Sequence, residues 1–335
     1  SPKVISLMGD KIAAKKTMEK AKVPVIPGYH GVKQDNDSLF KEGKKIGFPL
    51  LVKAAAGGGG KGMRIVHSEK NLLESIQAAK RESKSSFGDD TVFLEKYLDK
   101  PRHIEFQILA DENGNTIHLF ERECSIQRRH QKIIEESPSP IMTKELREKI
   151  GKAAVAAAEA VGYENAGTVE FMVDKDLNYY FMEMNTRLQV EHPITELTTG
   201  IDLVKWQLKI ASGEKLTLKQ KDLSQRGHAI ECRIYAEDAE NGFLPSVGLL
   251  KKVEEPSGPN IRVDSGIVSN INISPYYDPM LSKLIVYAEN REDSINKMIW
   301  ALSHYVILGI TSNVSFLKKV IEHNEFKKGN TTTHF

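Results

Sequence analysis

Glu183-Met184-Asn185-Thr186-Arg187-Leu188-Gln189-Val190-Glu191-His192 sets two acids, an amide and a guanidinium almost without spacers. The residues before it read as a hairpin. Gly167-Thr-Val-Glu-Phe-Met-Val-Asp174 alternates, with Thr168, Glu170 and Met172 on one face and Val169, Phe171 and Val173 on the other. Asp174-Lys-Asp-Leu-Asn178 is turn chemistry. In the return strand, Tyr179 to Asn185, period-two alternation puts Phe181, Glu183 and Asn185 on one face. The polar cluster therefore sits where a strand ends, on a loop positioned by a sheet. If the register allows, Glu170, Glu183 and Asn185 converge. Three oxygen ligands without a nearby Cys suit Mg²⁺ or Mn²⁺. The alternative is an exposed hairpin face that carries charge.

Phosphate chemistry is the natural companion of such a set, and it lies upstream. Phe48-Pro-Leu-Leu-Val-Lys53 reads as a strand ending in a lysine. Ala54-Ala-Ala-Gly57-Gly58-Gly59-Gly60-Lys61-Gly62 follows, then a second strand-like run, Met63-Arg-Ile-Val66. Gly57, Gly59 and Gly62 fit G-x-G-x-x-G, but no helix pattern follows, so the dinucleotide reading fails its context. Ala55 and Gly62 break the Walker A pattern as well. Strand, glycine flap, strand is instead a hairpin whose backbone N–H groups close over phosphates, with Lys53 and Lys61 adding positive charge. A plain flexible loop is the competing reading.

Composition sets the outer limits. A chain of 335 residues holds two or three domains with a large core. A net charge of +2 is no polyanion-binding signature, so nucleic acid is not an expected partner. No apolar run approaches membrane-spanning length. Two cysteines, Cys124 and Cys232, do not make a disulfide framework and suit a reducing compartment. The expected order is a start at 1–25, an α/β unit at 26–98 carrying the flap, and a core at 99–212. A polar linker at 213–226 and a strand-rich block at 227–335 complete it. Asp10 is placed to cap a helix through about Lys22, and Asn71 to Lys84 is helix-like. Thr91 to Glu95 is a strand, as are 103–109 and 116–122. An Ala-rich helix at 143–161 presents Leu146, Ile150, Ala154, Ala157 and Val161 as its apolar stripe.

Taken together, these segments resemble the biotin carboxylase component of biotin-dependent carboxylases, in the ATP-grasp superfamily. The resemblance covers essentially the whole chain. It is carried by Met8-Gly-Asp-Lys11, Lys53 with the glycine run, Glu95-Lys96-Tyr97-Leu98, Pro101-Arg-His103 and Cys124-Ser-Ile-Gln127-Arg-Arg-His130-Gln-Lys132. The run 183–192, Glu231-Cys-Arg233-Ile-Tyr-Ala-Glu-Asp238 and Tyr276-Tyr-Asp278-Pro-Met280 continue it. It implies an α+β, ATP-grasp fold with a small glycine-flap lid and a C-terminal strand-rich biotin carboxylase domain. In the family a Rossmann-like N-terminal domain comes first, and this chain is expected to begin after it. Ser85-Ser-Phe-Gly-Asp-Asp90 and Val263-Asp-Ser-Gly266 look more like acyl-CoA carboxylases of the propionyl-CoA type than pyruvate carboxylase.

The resemblance also implies roles. Lys11, Lys53 and the flap residues Gly57, Gly58, Gly59, Gly60 and Gly62 would hold ATP phosphates. Glu95, Lys96 and Leu98 would line the adenine slot, and His103, Gln127 and His130 would lie near the ribose and phosphates. Glu170, Glu183 and Asn185 would bind Mg²⁺ or Mn²⁺. Lys132, Arg187, Gln189 and the Val190 backbone would hold bicarbonate, since a planar oxyanion suits an arginine fork. Glu191 would be the general base and Arg233 would stabilise the biotin enolate. Biotin is expected in trans, on a carrier domain. Further expected partners are a homodimer and a carboxyltransferase subunit, with no membrane. The expected location is the cytoplasm, or the mitochondrial matrix for a eukaryotic parent. Two other readings stand beside this one: another ATP-grasp ligase, and a nucleotide-binding fragment without turnover.

Overall fold

The computed structural model describes residues 1–56 and 63–335. The glycines of the flap and Lys61 therefore lie outside the described residues. The chain starts with helices α1 (Pro2–Gly9) and α2 (Lys11–Lys20). The Asp10 carboxylate accepts from Ile12 N at 2.9 Å and Ala13 N at 3.0 Å, which satisfies two orphan donors and starts α2 as expected.

A four-stranded antiparallel sheet follows, built from β1 (Gly28–Tyr29), β2 (Leu50–Ala54), β3 (Arg64–Val66) and β4 (Val92–Lys96) in the order β1-β4-β2-β3. Helices α3 (Asn36–Ile46) and α4 (Leu72–Phe87) pack on it, burying Leu39, Leu72 and Ile76 against Leu50, Val52 and Leu94. The α4 helix runs past the expected Lys84 and stops at Gly88, whose φ of +76° closes the last turn in the left-handed region that glycine tolerates.

The large sheet has eight strands, all with antiparallel neighbours. In chain order they are β5 (Arg102–Ala110), β6 (Thr116–Arg128), β7 (Gln131–Ser137), β8 (Asn165–Val173), β9 (Tyr179–Asn185), β10 (His228–Tyr235) and the runs Ile261–Ser265 and Met280–Ala288. In space, Ile261–Ser265 is one edge and β9 the other, with β10, β7, β6, β5 and β8 filling the middle after Met280–Ala288. Strands from either side of residues 213–226 thus share one sheet, joined where β10 pairs with β7. The connecting stretch is packed down rather than loose. Leu216 is buried, Leu218 and Leu223 pack beside it, and Leu216 N donates to Asp111.

Helix α5 (Lys144–Ala160) lies on β5 and β6 and is capped by Thr143, which accepts from Leu146 N. Leu146, Ile150, Ala154 and Ala157 are buried with Phe106, Val169 and Phe171, so the apolar stripe is the core face. Val161, expected to end the stripe, is the C-cap and only half-buried. Helices α6 (His192–Thr199) and α7 (Leu203–Ala211) follow the polar cluster, and Arg291–Ser303 and Val314–Glu322 cover the C-terminal strands. Among the described residues no helix is long and apolar enough to cross a membrane.

One expectation about the hairpin is overturned. Strict alternation puts Phe181, Glu183 and Asn185 on one face. The register instead shifts between Glu170 and Phe171, so that Phe171 pairs with Phe181 while Glu170 pairs with Glu183. This is a β-bulge, which inserts one residue and lets a strand change the face it presents. Phe181 joins the core and Glu183 faces the cavity.

Candidate active site

A cavity of about 520 Å³ opens between the two sheets. Lys53, Ala54 and Ile65 line it from the small sheet, and Lys11 and Lys15 from α2. His103, Lys132, Glu170, Glu191 and Arg233 line it from the large one.

The acids of the wall are ordered by one buried cation. Lys132 Nζ donates to Glu170 Oε1 at 2.8 Å, to Glu191 Oε1 at 2.7 Å and to Glu105 Oε2. All three of its protons are thereby engaged. Burial alone would lower the Lys132 ammonium, but the three carboxylates outweigh it and hold its pKa well above the ordinary value. The Glu191 carboxylate is gripped from both sides, since its Oε2 accepts from Arg233 Nη2 at 2.9 Å. Burial would raise Glu191; Lys132, Arg233 and Arg122 reverse that and keep it well below the carboxylate range. Glu170 behaves alike, depressed by Lys132 and His103 against burial, with His103 Nε2 at 2.9 Å from its Oε2.

Glu183 is the exception. Burial and its ladder partner Glu170 raise it. Asn185 is drawn into the same group and donates to Glu170 Oε1 at 2.9 Å. Two carboxyl groups paired across the ladder beside an amide form a hard oxygen set, and a divalent cation would offset the repulsion that helps raise Glu183. The residues expected for Mg²⁺ or Mn²⁺ therefore fit that group. A second cluster, His103, Glu105 and Glu170, also brings ligand atoms within 4.8 Å of one another. Lys132 already lies among its carboxylates.

Beneath the wall sits Arg122, wholly buried in β6. It donates to Glu105 at 2.5 Å, Gln107 at 2.7 Å, Thr195 at 3.0 Å and Thr168 at 3.1 Å. It also donates to Gln189 Oε1 at 2.9 Å, and Gln189 Nε2 in turn donates to Glu170 Oε1 at 3.0 Å. The sequence reading missed Arg122 and Glu105. The signal was present: Glu121-Arg122-Glu123 sets three charges in succession within a strand, and all three are buried. Buried charges require partners, so such a run marks a network.

The lid side differs from expectation in one respect. Glu95 does not face the cavity. It is fully buried, and its carboxylate holds Lys15 and Lys53, the latter at 3.1 Å. Two lysines approaching from α2 and β2 need a counter-charge, and Glu95 supplies it. Lys96, Tyr97 and Leu98 do line the cavity. Burial, and then Lys11, lower Lys53 to about 8, against the pull of Glu183. Burial, Lys53 and Lys11 likewise hold Lys15 well below the ordinary lysine range.

The remaining expected residues are placed as follows. Gln127 bridges His103 Nδ1 and the Cys124 carbonyl, both at 2.8 Å. His130 is exposed at the tip of the β6–β7 turn and reaches the rim. Arg187 lines the cavity but is exposed and donates to the Leu188 carbonyl and to Asn185, so it does not touch Glu191. The Val190 carbonyl accepts from Lys283 at 2.6 Å. The C-terminal tail closes the far end, with Thr333 and His334 in the lining and Tyr97 Oη 3.4 Å from His334 Nε2. That contact spans most of the chain and leaves no local signal.

Two family models match the chain: the carbamoyl-phosphate synthase L chain ATP-binding domain over residues 10–219, and the biotin carboxylase C-terminal domain over residues 231–335. A pyruvate carboxylase component of Methanothermobacter thermautotrophicus is 55% identical over 99% of this chain and 67% of that protein. The alpha chain of the mitochondrial methylcrotonoyl-CoA carboxylase of Arabidopsis thaliana is 51% identical over 98% of this chain, which spans only 45% of it. The biotin carboxylase of a Nostoc species is 48% identical over the full chain and 75% of its own length. A solved structure of the 2-oxoglutarate carboxylase biotin carboxylase domain dimer from Hydrogenobacter thermophilus, with MgADP, ADP and bicarbonate, superposes with a TM-score of 0.95. It is 46% identical over 99% of this chain and 74% of that one.

Proposed function

This chain belongs to the biotin carboxylase family of the ATP-grasp superfamily, and from that premise we propose that it carries out ATP- and bicarbonate-dependent carboxylation of biotin. The observation that supports this best is the Glu191 carboxylate, buried, kept ionised and held between Lys132 and Arg233 at the cavity wall.

In this reading Glu191 takes the proton of bicarbonate, and the freed oxyanion attacks the γ-phosphorus of ATP to give carboxyphosphate and ADP. Lys132, Arg187, Gln189 and the Val190 backbone hold bicarbonate. Lys11, Lys53 and the flap glycines hold the phosphates, where Lys53 needs no movement to reach the cavity. Lys96, Tyr97 and Leu98 line the adenine side, and His103, Gln127 and His130 stand toward the ribose. Glu170, Glu183 and Asn185 would hold Mg²⁺ or Mn²⁺, which supplies charge neutralisation of the terminal phosphates. Carboxyphosphate then splits to CO₂ and phosphate, the phosphate takes the N1 proton of biotin, and the N1 anion attacks CO₂ while Arg233 balances the negative charge on the biotin ring.

The relatives are components of biotin-dependent carboxylases, so we assign the biotin to a carrier domain presented in trans, with a carboxyltransferase as the consumer of the product. Self-association is assigned by the same route, from the domain dimer of the Hydrogenobacter protein. We divide the chain at the stretch 213–226 into an ATP-binding region and a C-terminal domain; the matched family segments, residues 10–219 and 231–335, leave residues 220–230 between them.

The test is Mg²⁺-dependent ATP hydrolysis with and without bicarbonate and free biotin, beside a Glu191→Gln variant. Hydrolysis that needs bicarbonate, rises with biotin and falls at least a hundredfold in the variant is expected, on the order of the usual general-base contribution. Hydrolysis indifferent to bicarbonate overturns the reading.

A further inference from the structure

Behind Arg233 stand two carboxyl groups that the reaction above does not use. Glu135 on β7 and Glu231 on β10 are direct partners in the antiparallel ladder, and both are fully buried. Side chains opposed in this way start from Cβ atoms about 4.5–5.5 Å apart. Glu135 Oε1 accepts from Arg233 Nε at 2.7 Å and lies 2.5 Å from Nη2, the nitrogen that also serves Glu191. Glu135 Oε2 and both oxygens of Glu231 have no hydrogen-bond partner among the described residues.

The cations nearby do not cover three anions. Arg233 is shared by Glu191 and Glu135. Lys283, its ladder partner on Met280–Ala288, gives its ammonium to the Val190 carbonyl and to Asp264. Lys132 is engaged by Glu105, Glu170 and Glu191. A carboxylate buried without a partner takes up a proton rather than bear the desolvation cost. Glu231 is the one with no hydrogen-bond partner among the described residues. Burial and Glu135 hold it well above the ordinary range, against Lys283 and Arg233. Burial raises Glu135 to about 7, opposed by Arg233 and aided by Glu191.

We propose that Glu231 is kept as a neutral carboxylic acid behind Glu135, and that Glu135 is the positioning residue that fixes Arg233 against Glu191. The inference rests on the reading above for what Arg233 does in turnover. When Glu191 gains a proton in that reaction, Arg233 loses one of its two anions. Glu135 is the one that remains, so the guanidinium stays in place. Protonation of Glu135 itself, as pH falls below about 7, releases that hold, so the biotin-dependent rate acquires an acid limb there.

Infrared spectroscopy and kinetics on Glu231→Gln and Glu135→Gln test this. At neutral pH, Glu231→Gln removes the carbonyl band of a buried protonated carboxyl and lowers turnover less than Glu135→Gln does. Glu135→Gln keeps the KM for ATP, lowers the biotin-dependent kcat about tenfold or more, and flattens the acid limb, because displaced groups lose rate steeply. Glu135→Asp restores part of both and serves in place of Glu135→Gln should the amide variant not fold. The band persisting in Glu231→Gln, or Glu135→Gln and Glu135→Asp both keeping the wild-type rate and limb, overturns the proposal. If wild-type hydrolysis ignores bicarbonate, the functional reading falls instead, and the infrared band still decides where the proton sits.

Discussion

Arg122 Nη2 stands 2.9 Å from Gln189 Oε1, and through this bond the buried middle of the large sheet holds the cavity wall. Gln189 passes the constraint to Glu170, and the same guanidinium pins Thr195 on α6. Replacing Arg122 with Met removes the cation and leaves Glu105, Gln107 and Thr168 short of a partner. Breaking a buried pair from one side typically destabilises by about 3–5 kcal/mol. Urea unfolding is the check. Arg122→Lys should recover little, because a point charge cannot replace a fork that serves five groups.

The Glu170–Glu183 pair makes opposite predictions for the free and loaded protein. Glu183→Gln removes the repulsion, so the midpoint of thermal unfolding without ligand rises by about 1–3 °C. The further rise on adding MgADP, which measures binding to the folded state, shrinks or disappears. Differential scanning fluorimetry with and without MgADP reads both. A loss of stability in the free protein contradicts the placement of these two carboxyl groups.

Glu135 ties stability to pH. A carboxyl raised in the folded state binds its proton more tightly there than in the unfolded chain. Its contribution is full below the ordinary carboxylate value and is lost as pH rises through about 7. His30 and His118, both lowered to about 4 first by burial, work in the other direction across part of that window. The difference between wild type and Glu135→Gln therefore isolates the effect. Denaturation midpoints from pH 5 to 8 should fall more steeply with pH in the wild type than in the variant.

The β6–β7 turn holds Arg129 at φ +50° and His130 at φ +67°, flanked by the paired residues Arg128 and Gln131. Two successive positive φ values are the mark of a type I′ hairpin turn, which favours Asn and Gly. Arg129 is exposed. Arg129→Asn should stabilise the fold by about 1 kcal/mol, the lower end of the cost of one strained left-handed residue. Urea unfolding measures it, and an unchanged KM for ATP shows that only the turn has been touched.

Local chemistry made much of this molecule legible. Asp10 and Thr143 begin helices because a side-chain oxygen can satisfy nearby N–H groups, and the stripe along α5 faces the core because its spacing leaves no other choice. The polar run from Glu183 to Glu191 could be recognised as a wall, since so many charges cannot share a core without partners. The bulge that turns Phe181 inward could not be read, because it depends on the register against β8. The β6–β7 hairpin was hidden for a related reason. Gln127 to Lys132 is polar throughout, and its strands form only because neighbours on both sides complete the ladder. Glu95 looked like part of a slot because it sits beside residues that line the cavity. Its burial is decided by Lys15 and Lys53, which arrive from distant segments.

The ladder between β7 and β10 also defines what can be inherited or exchanged as a piece. A cut between residues 220 and 227 separates two segments recognisable in sequence, yet it does not free two finished bodies. Each half would carry an exposed strand border that invites other chains to pair with it. Splicing a C-terminal half from a relative is therefore a question of matching that seam, residue opposite residue. Glu135 and Glu231 meet across it, so a seam that fits in shape alone still carries the wrong proton count.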